Sequence, residues 1–552
     1  MSGGTHDVIV LGGGCAGLFT AIAAGALGMD CLVLEAAPQL GGGTAISSGF
    51  LWVGGNHLHA EAGSADTPEA VRAYLAHVAG GGADPARMEA FAAMAPEALR
   101  AFEAAGIPFR LSPRIDHHGL APGAMAGGRI LDTPPLDAAV LGEWHDRIAT
   151  PAGPLYRLGG SEAVRLGGAN NVATWEAAAA VERERPGQRG AGAGLMTWLV
   201  AAALRHGVGI RTKAAAARLL VDAGRVTGVV TADGAQFAAR RGVVLACGGY
   251  ESNPALVDRF EALPGWQSMF PESLRGDGLV MATEHGAALH VVGNNLSVFL
   301  GFRNPDEAPG GTAPCRLSGT AELTAPHTMV VNREGRRFAD ESFFQAVAPH
   351  LRAFDVRRGE QPNLPCFLIF DAQYGARQSF AGRPPGAPIP PWVCRASSLA
   401  DLAAQLGIDA EGLEATARRF NADAGRGRDS EHHRGETPWG LARLGPAATL
   451  GPIEQAPFFG IRLHPTALAS AGLLADSSAR VLHVRGHPMP GLYAVGNAAA
   501  RTETGAGYQT GYSLASGMTF GLIAARDMAG LPHGVWSGSR PDGIIRADKN
   551  AR

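Results

Sequence analysis

Three glycines and one acid near the N-terminus have the types and spacing of a dinucleotide site. Gly12, Gly14 and Gly17 follow the apolar run that ends at Leu11, and Glu35 closes the next apolar run. In a strand–turn–helix–strand unit, Gly12 allows the tight turn, Gly14 lets the backbone approach a pyrophosphate, and Gly17 lets the helix pack on the strand. The start of that helix offers free N–H groups and a positive dipole end to the phosphates. Glu35 is placed to accept hydrogen bonds from both ribose hydroxyls of an unphosphorylated adenosine, which disfavours a 2′-phosphate. Strand, helix and acid together make the glycine pattern far more specific than it is alone. A second cluster of glycines and hydroxyls, GGGTAISSGFLW at 41–52, comes directly after. A simple nicotinamide dehydrogenase has no use for it there, so the choice between NAD and FAD turns on the remainder of the chain.

The elements that position these residues need a large scaffold. With 552 residues and 46% apolar content the chain is too long for one core, and two packed units are expected. A formal net charge of −3 provides no field to attract nucleic acid or an anionic membrane surface. No apolar segment reaches the length of a membrane span, and no leader-like pattern precedes the first strand. The six cysteines form no CxxC pair, so a reducing cytoplasm is expected and no metal site is. His432 and His433 lie in a charged loop without further ligands at metal spacing. The Ala-, Gly- and Arg-rich stretch from Glu182 to Ala193 reads as a flexible surface connection.

Five segments carry a family resemblance: GGGTAISSGFLW, GVVLACGGYESN at 242–253, GDGLVMA at 276–282, VNREGRRFADES at 331–342 and GLYAVGN at 491–497. In type and order they resemble flavoproteins of the fumarate reductase and 3-ketosteroid dehydrogenase superfamily. The resemblance implies an α/β fold: a discontinuous Rossmann-type FAD-binding domain with an inserted α+β cap. The limits expected are 1–285 and 441–535 for the FAD domain, 286–440 for the cap and 536–552 for a tail. Loss of the nucleotide-fold pattern between about 286 and 440, and helical periodicity in SSLADLAAQL and EGLEATARRF, agree with that division.

The resemblance also assigns cofactor contacts. Ala16, Ala36, Gly42, Ala246, Gly248, Asp277 and Gly496 join Gly12, Gly14, Gly17 and Glu35; Thr44, Ala45, Ser48 and Gly49 line the flavin; Asn497, Ser513 and Leu514 sit near its pyrimidine edge. A helix starting near Ser513 would point its positive end at the ring edge where charge gathers on reduction. Covalently flavinylated relatives use a histidine in the first glycine cluster. None stands between Gly41 and Gly55, so FAD is expected to be held non-covalently.

Within this superfamily the substrate is decided by the side chains over the flavin. The positions where fumarate reductases carry a catalytic arginine, a clamp arginine and a clamp histidine fall on Gly375, Tyr508 and Leu468. DHHGLAPGAMAGGR at 116–129 and LGEWHDR at 141–147 resemble the substrate wall of ketosteroid dehydrogenases. Tyr508 matches that family's carbonyl-binding tyrosine, with the Gly511 N–H completing an oxyanion site; Tyr512 is either a second phenol at the pocket or a helix-start residue. His117 or His118 stands where the family has its first tyrosine, and Gln345 where it has its base. A neutral histidine could remove a proton α to a polarised carbonyl. Arg336, Arg337 and Glu341 read as a charged turn, and Trp52 and Trp144 as aromatic packing. The expected activity is introduction of a carbon–carbon double bond next to a cyclic or apolar ketone, with hydride passing to the flavin. Electrons would leave to a separate acceptor such as a quinone, oxygen or a redox protein. Two alternatives stay open: an organic-acid reductase or dehydrogenase using Arg377 or Arg501, since tricarballylate dehydrogenases share the spacing around Tyr508, and a flavin-binding protein without turnover.

Overall fold

A computed structural model describes residues 2–63, 66–306, 316–317, 322–443 and 445–532. The expected tail at 536–552 and Cys315 lie outside them. The fold is mixed α/β. Its first sheet runs 480–482, 488–494, 236–245, 2–11, 31–34, 209–211, with 225–231 and 216–222 branching from 236–245. The five strands from 488–494 to 209–211 are parallel neighbours. A parallel sheet needs cover on both faces, and Val8, Ile9 and Val10 are fully buried.

One covering layer is a helix pair, Cys15–Ala26 and Tyr512–Met528. Small residues set their approach: a Cβ added at Gly517 would lie 2.9 Å from the Ala16 Cβ, and one at Gly521 2.9 Å from Thr20 Oγ1. This crossing joins the two ends of the sequence and brings both helix N-termini to one edge of the sheet. Behind it, Arg87 is buried with its guanidinium 3.0 Å from Glu503 Oε2 and 3.9 Å over the Phe520 ring, fixing the loop that precedes the second helix.

A second sheet is built from 316–317, 298–302, 458–467, 366–370 and 328–332, with 394–396 also pairing 458–467. Its limits differ from the expected 286 and 440. Residues 289–291 pair with 471–473 in a separate ribbon, and strand 458–467 lies in the middle of the second sheet. Composition carries no record of which strand a segment will pair with. The two helical periodicities form Leu399–Leu406 and Ala410–Arg426, capped by the side chains of Ser398 and Asp409 and stopped by Gly407 and Gly427 in left-handed conformation.

Two expectations are corrected. The stretch 182–193 is no flexible connection: Gln188–Arg189 pairs with Leu136–Asp137, and Ala191–Arg205 is a helix whose first residues are buried. Its glycines serve close approach, since a Cβ at Gly192 would lie 1.9 Å from the Thr44 carbonyl oxygen and one at Gly190 2.2 Å from the Gly159 nitrogen. Nor do Arg337 and Glu341 form only a charged turn. Arg337 donates to Glu341 Oε2 at 2.8 Å and to Asp429 Oδ2 at 2.8 Å, and Arg434 donates to Glu341 Oε1 at 2.8 Å, all four side chains being buried. Two cations against two anions make the cluster neutral, which is how charges survive burial.

Candidate active site

A cavity of about 1020 Å³ runs from the glycine turn of the first sheet to the second sheet. At the nucleotide end, Gly12 has φ +113°, and a Cβ there would lie 2.4 Å from the Ala246 carbonyl oxygen, so only glycine fits. A Cβ at Gly14 would be in ordinary contact with Gly41 O and Thr44 Oγ1, both at 3.6 Å. Gly14 is the N-cap of helix Cys15–Ala26 and lines the cavity. Glu35 lies at the same end, with Oε2 accepting from Gly13 N–H at 2.7 Å and Oε1 from Ala37 N–H at 2.7 Å. Burial raises its carboxyl above the usual range against the pull of those two amides. Each oxygen keeps a lone pair for a further donor. A glycine turn on the cavity wall, a helix N-terminus and a two-oxygen acceptor fit the diphosphate and ribose of a dinucleotide.

The wall holds Gly12, Gly14, Ala16, Glu35, Ala36, Gly42, Thr44, Ser48, Ala246, Gly248, Asp277, Gly496, Asn497, Ser513 and Leu514 together. Three expected cofactor residues stand behind it among the described residues. Gly17 is where helix meets strand, since a Cβ there would lie 2.0 Å from Gly12 O. Ala45 is fully buried beside Gly41, and Gly49, at φ +72°, packs on the Ala191 backbone. Thr44 has a second task, its Oγ1 accepting from Cys15 N–H at 3.1 Å.

At the far end, Tyr508 and Gly511 line the cavity next to Ser513, Leu514 and Asn497. Gly511, at φ +97°, caps helix Tyr512–Met528. The Tyr508 ring is boxed by Phe299 at 5.5 Å, Phe344 at 5.7 Å and the Leu468 side chain. Burial pushes its phenol up to about 12, against the nearby charges of Arg501 and Arg114. A phenol so placed stays protonated at neutral pH and is a hydrogen-bond donor.

Neither histidine lines the cavity. His117 is buried one layer behind, with Nε2 2.8 Å from Thr510 Oγ1 and Nδ1 2.7 Å from Gln345 Nε2. Gln345 Oε1 lies 3.1 Å from His118 Nε2, which also sits 3.3 Å from the Tyr508 carbonyl oxygen. Burial holds His118 below the usual imidazole value. Thr510, on the wall, is therefore the group that connects the imidazole to the cavity. Tyr512 is not a second phenol at the cavity: its ring meets Trp52 edge-on at 5.1 Å inside the core.

Segments 116–129 and 141–147 contribute no described residue to the lining. The first is instead a strut. Arg129 binds Asp66 at 2.6 Å and Asp116 at 2.9 Å, and Asp116 accepts the Trp52 indole N–H at 2.8 Å. Gln509 Oε1 accepts from Tyr74 O–H at 2.6 Å and His117 N–H at 2.7 Å, so the strut fixes the Tyr508–Gly511 loop. The two dicarboxylate-clamp positions, Leu468 and Tyr508, line the cavity, and the catalytic-arginine position, Gly375, does not. Arg377 is exposed, and Arg501 is buried off the wall, donating to Asn295 Oδ1 at 2.8 Å.

Sequence reasoning missed Thr510 and Arg114. Thr510 was open to discovery as the hydroxyl between Tyr508 and Gly511; Arg114, two residues before Asp116, carried no motif.

Comparison with known proteins agrees with this geometry. The FAD binding domain family matches residues 7–518. The 4-oxocyclohexanecarboxylate 2-dehydrogenase of Sinomonas cyclohexanicum is 35% identical, covering 97% of this chain and 95% of its own length. A 3-oxosteroid 1-dehydrogenase of Mycobacterium tuberculosis (strain ATCC 25618 / H37Rv) is 31% identical over 95% of this chain and 98% of its own. Among solved structures, the 3-ketosteroid delta1-dehydrogenase of Sterolibacterium denitrificans in complex with 1,4-androstadiene-3,17-dione superposes with a TM-score of 0.85 at 27% identity, covering 95% of this chain and 99% of its own. The chain belongs to the FAD-binding flavoprotein family. It is an FAD-dependent oxidoreductase, of the branch that contains the ketosteroid and oxocyclohexanecarboxylate dehydrogenases.

Proposed function

We propose that this enzyme desaturates the carbon–carbon bond α,β to the carbonyl of a cyclic ketone, in a Rossmann-type FAD domain closed by a cap built on the second sheet. The observation that carries this reading is the placement of Tyr508 and Gly511 on the cavity wall, beside the Asn497 and Ser513 contacts expected for flavin. Two of the relatives are named for cyclic ketones, an oxocyclohexanecarboxylate and an oxosteroid. The Tyr508 hydroxyl and the Gly511 N–H would both donate to the ketone oxygen, and the buried, apolar box around Tyr508 strengthens those bonds as charge develops on oxygen. Bound FAD, held non-covalently, supplies the acceptor for the hydride lost from the β carbon.

The α proton leaves through Thr510. Its hydroxyl takes that proton while passing its own to His117 Nε2, 2.8 Å away. For this, His117 carries its proton on Nδ1 and needs an acceptor there. Gln345 provides it with its amide turned to present oxygen, which also hands His118 Nε2 a donor. With the amide in the opposite sense, the nitrogen donates to Nδ1 at 2.7 Å and His117 is the donor toward Thr510. Gln345 thus sets whether the relay accepts or returns a proton.

No comparable support exists for the organic-acid reading, because the clamp positions on the wall are Leu468 and Tyr508 and Arg377 is exposed. The test is a panel of cyclic ketones and dicarboxylates with purified enzyme. Ketone-dependent reduction of an artificial acceptor supports the proposal; consumption of fumarate-like acids with reduced dye, and no response to any ketone, overturns it.

A further inference from the structure

The three side chains that box Tyr508 come from three separate segments. Phe299 lies on strand 298–302, Phe344 starts the helix Phe344–Leu351, and Leu468 follows strand 458–467. One residue is bonded to all three segments and to the Tyr508 loop as well: Asn295, which is 1% exposed and stands off the cavity wall. Its Nδ2 donates to the Leu468 carbonyl oxygen at 2.8 Å and to Ser470 Oγ at 2.9 Å. Its Oδ1 accepts from Ser297 N–H at 3.0 Å, at the entry to the Phe299 strand, and from Arg501 Nη2 at 2.8 Å. Its backbone carbonyl accepts from Arg352 Nη1 at 2.8 Å, at the end of the Phe344 helix. The next residue, Leu296, donates its N–H to the Ala506 carbonyl oxygen at 2.9 Å, two residues before Tyr508.

These bonds leave the amide one orientation, because a backbone N–H demands oxygen on one side and a carbonyl demands nitrogen on the other. The hub is itself anchored. Ser470 Oγ donates to Glu261 Oε2 at 2.7 Å, and Glu261 Oε1 accepts from Tyr250 O–H at 2.7 Å, shortly after strand 236–245 of the first sheet. Arg501 is buried at the head of the loop, and its carbonyl accepts from Gly505 N–H at 2.9 Å. Its charge is felt at the Tyr508 phenol, where it opposes the effect of burial. Gln509 holds the other flank of the same loop.

Resting on the ketone reading above, we infer that Asn295 is a positioning residue for the reaction: it sets where the Tyr508 hydroxyl stands by tying the loop, through Arg501, to the three walls of the Tyr508 box. It acts through Tyr508 and not on the substrate. A displacement of about 1 Å at a reacting or charge-stabilising group is enough to cost about 10²-fold in rate. Fixing the phenol against its box is therefore a catalytic requirement and not only a matter of stability.

The test is a double-mutant cycle of Asn295→Ser with Tyr508→Phe in the FAD-loaded enzyme. The reading is the single-turnover rate of flavin reduction by 4-oxocyclohexanecarboxylate, or by the fastest cyclic ketone of the panel above if that acid is not turned over. Asn295→Ser should slow reduction by about 10²-fold while FAD is retained. In the Tyr508→Phe background the same substitution should cost less than about threefold, because residues that act as a unit are not additive. Equal losses in both backgrounds overturn the inference, since a general loosening of the fold does not depend on the Tyr508 hydroxyl. So does an Asn295→Ser enzyme within about threefold of the unsubstituted rate. Should Asn295→Ser not retain FAD, Arg501→Met decides in the same cycle: it cuts the link from the hub to the loop and should show the same dependence on Tyr508, and an additive loss there overturns the inference. In either cycle an additive result with a ketone-active enzyme leaves the ketone reading standing. Failure of every cyclic ketone to reduce the bound FAD of the unsubstituted enzyme overturns the ketone reading and this inference with it.

Discussion

Replacing Thr510 by valine removes one hydroxyl and nearly nothing else. Valine has the same branched shape, so the Tyr508–Gly511 loop, held by Gln509 through Tyr74 and His117, keeps its path. What is lost is the 2.8 Å link between the cavity and His117 Nε2. In the folded protein this leaves a buried imidazole nitrogen without that partner, at about 1–3 kcal/mol, which a domain stable by about 5–15 kcal/mol tolerates. In the reaction it removes the positioned proton acceptor, a contribution of about 10²–10⁴-fold, equivalent to about 3–5 kcal/mol of barrier. The assay is anaerobic single-turnover reduction of the bound flavin by a cyclic ketone, monitored by loss of oxidised-flavin absorbance, with and without deuterium at the α carbon. Thr510→Val should slow the reduction by about that factor with an enlarged α-deuterium effect, and Thr510→Ser should restore most of the rate. A Thr510→Val enzyme that reduces flavin within about threefold of the unsubstituted rate refutes the relay, because the expected loss is at least about thirty times that margin.

Three further outcomes concern other parts of the molecule. Tyr508→Phe should lower kcat by about 10²–10³-fold, as loss of one oxyanion donor does elsewhere, with FAD content unchanged; an unchanged kcat contradicts the ketone-holding role. Gly12→Ala puts a Cβ 2.4 Å from the Ala246 carbonyl oxygen at φ +113°, so the purified variant should carry little or no FAD by its absorbance ratio. The buried cluster of Arg337, Glu341, Asp429 and Arg434 makes stability acid-sensitive. Burial raises both carboxyls, but the two guanidinium groups outweigh it for Glu341, as Arg337 and backbone amides do for Asp429, which sits at about 2. Groups depressed on folding stabilise above their unfolded pKa and lose that contribution as pH falls through the folded value. Urea midpoints should therefore drop between about pH 4 and pH 2, while Arg337→Met should cost about 3–5 kcal/mol at neutral pH. A pH-independent midpoint across that window speaks against the cluster as a stabilising unit.

The nucleotide end was the most legible in sequence, because its chemistry is done by backbone. Gly12, Gly14 and Glu35 are dictated by local geometry, and a glycine turn between strand and helix leaves a pattern within about 30 residues. The catalytic end is assembled from positions far apart in the chain. Tyr508 and Gly511 were readable as one loop, yet whether His117 faced the cavity depended on which layer a loop occupies. No local pattern encodes that. Thr510 was overlooked because a threonine in a glycine-rich loop has no signature; its role appears only once His117 stands behind it. Misreadings of 182–193 as flexible and of Arg337 and Glu341 as no more than a charged turn share one cause. Small residues and charges were taken at their average behaviour, where tight packing and mutual neutralisation had made them core.

The central claim is that the bound flavin takes electrons from a ring carbon next to a ketone held by Tyr508 and Gly511. Anaerobic titration of the FAD-loaded enzyme with 4-oxocyclohexanecarboxylate tests it most directly. The account predicts stoichiometric bleaching of the flavin with appearance of the conjugated enone, and loss of that rapid bleaching in Tyr508→Phe. Flavin that stays oxidised with this and every other cyclic ketone, but is re-oxidised by fumarate after chemical reduction, would contradict it.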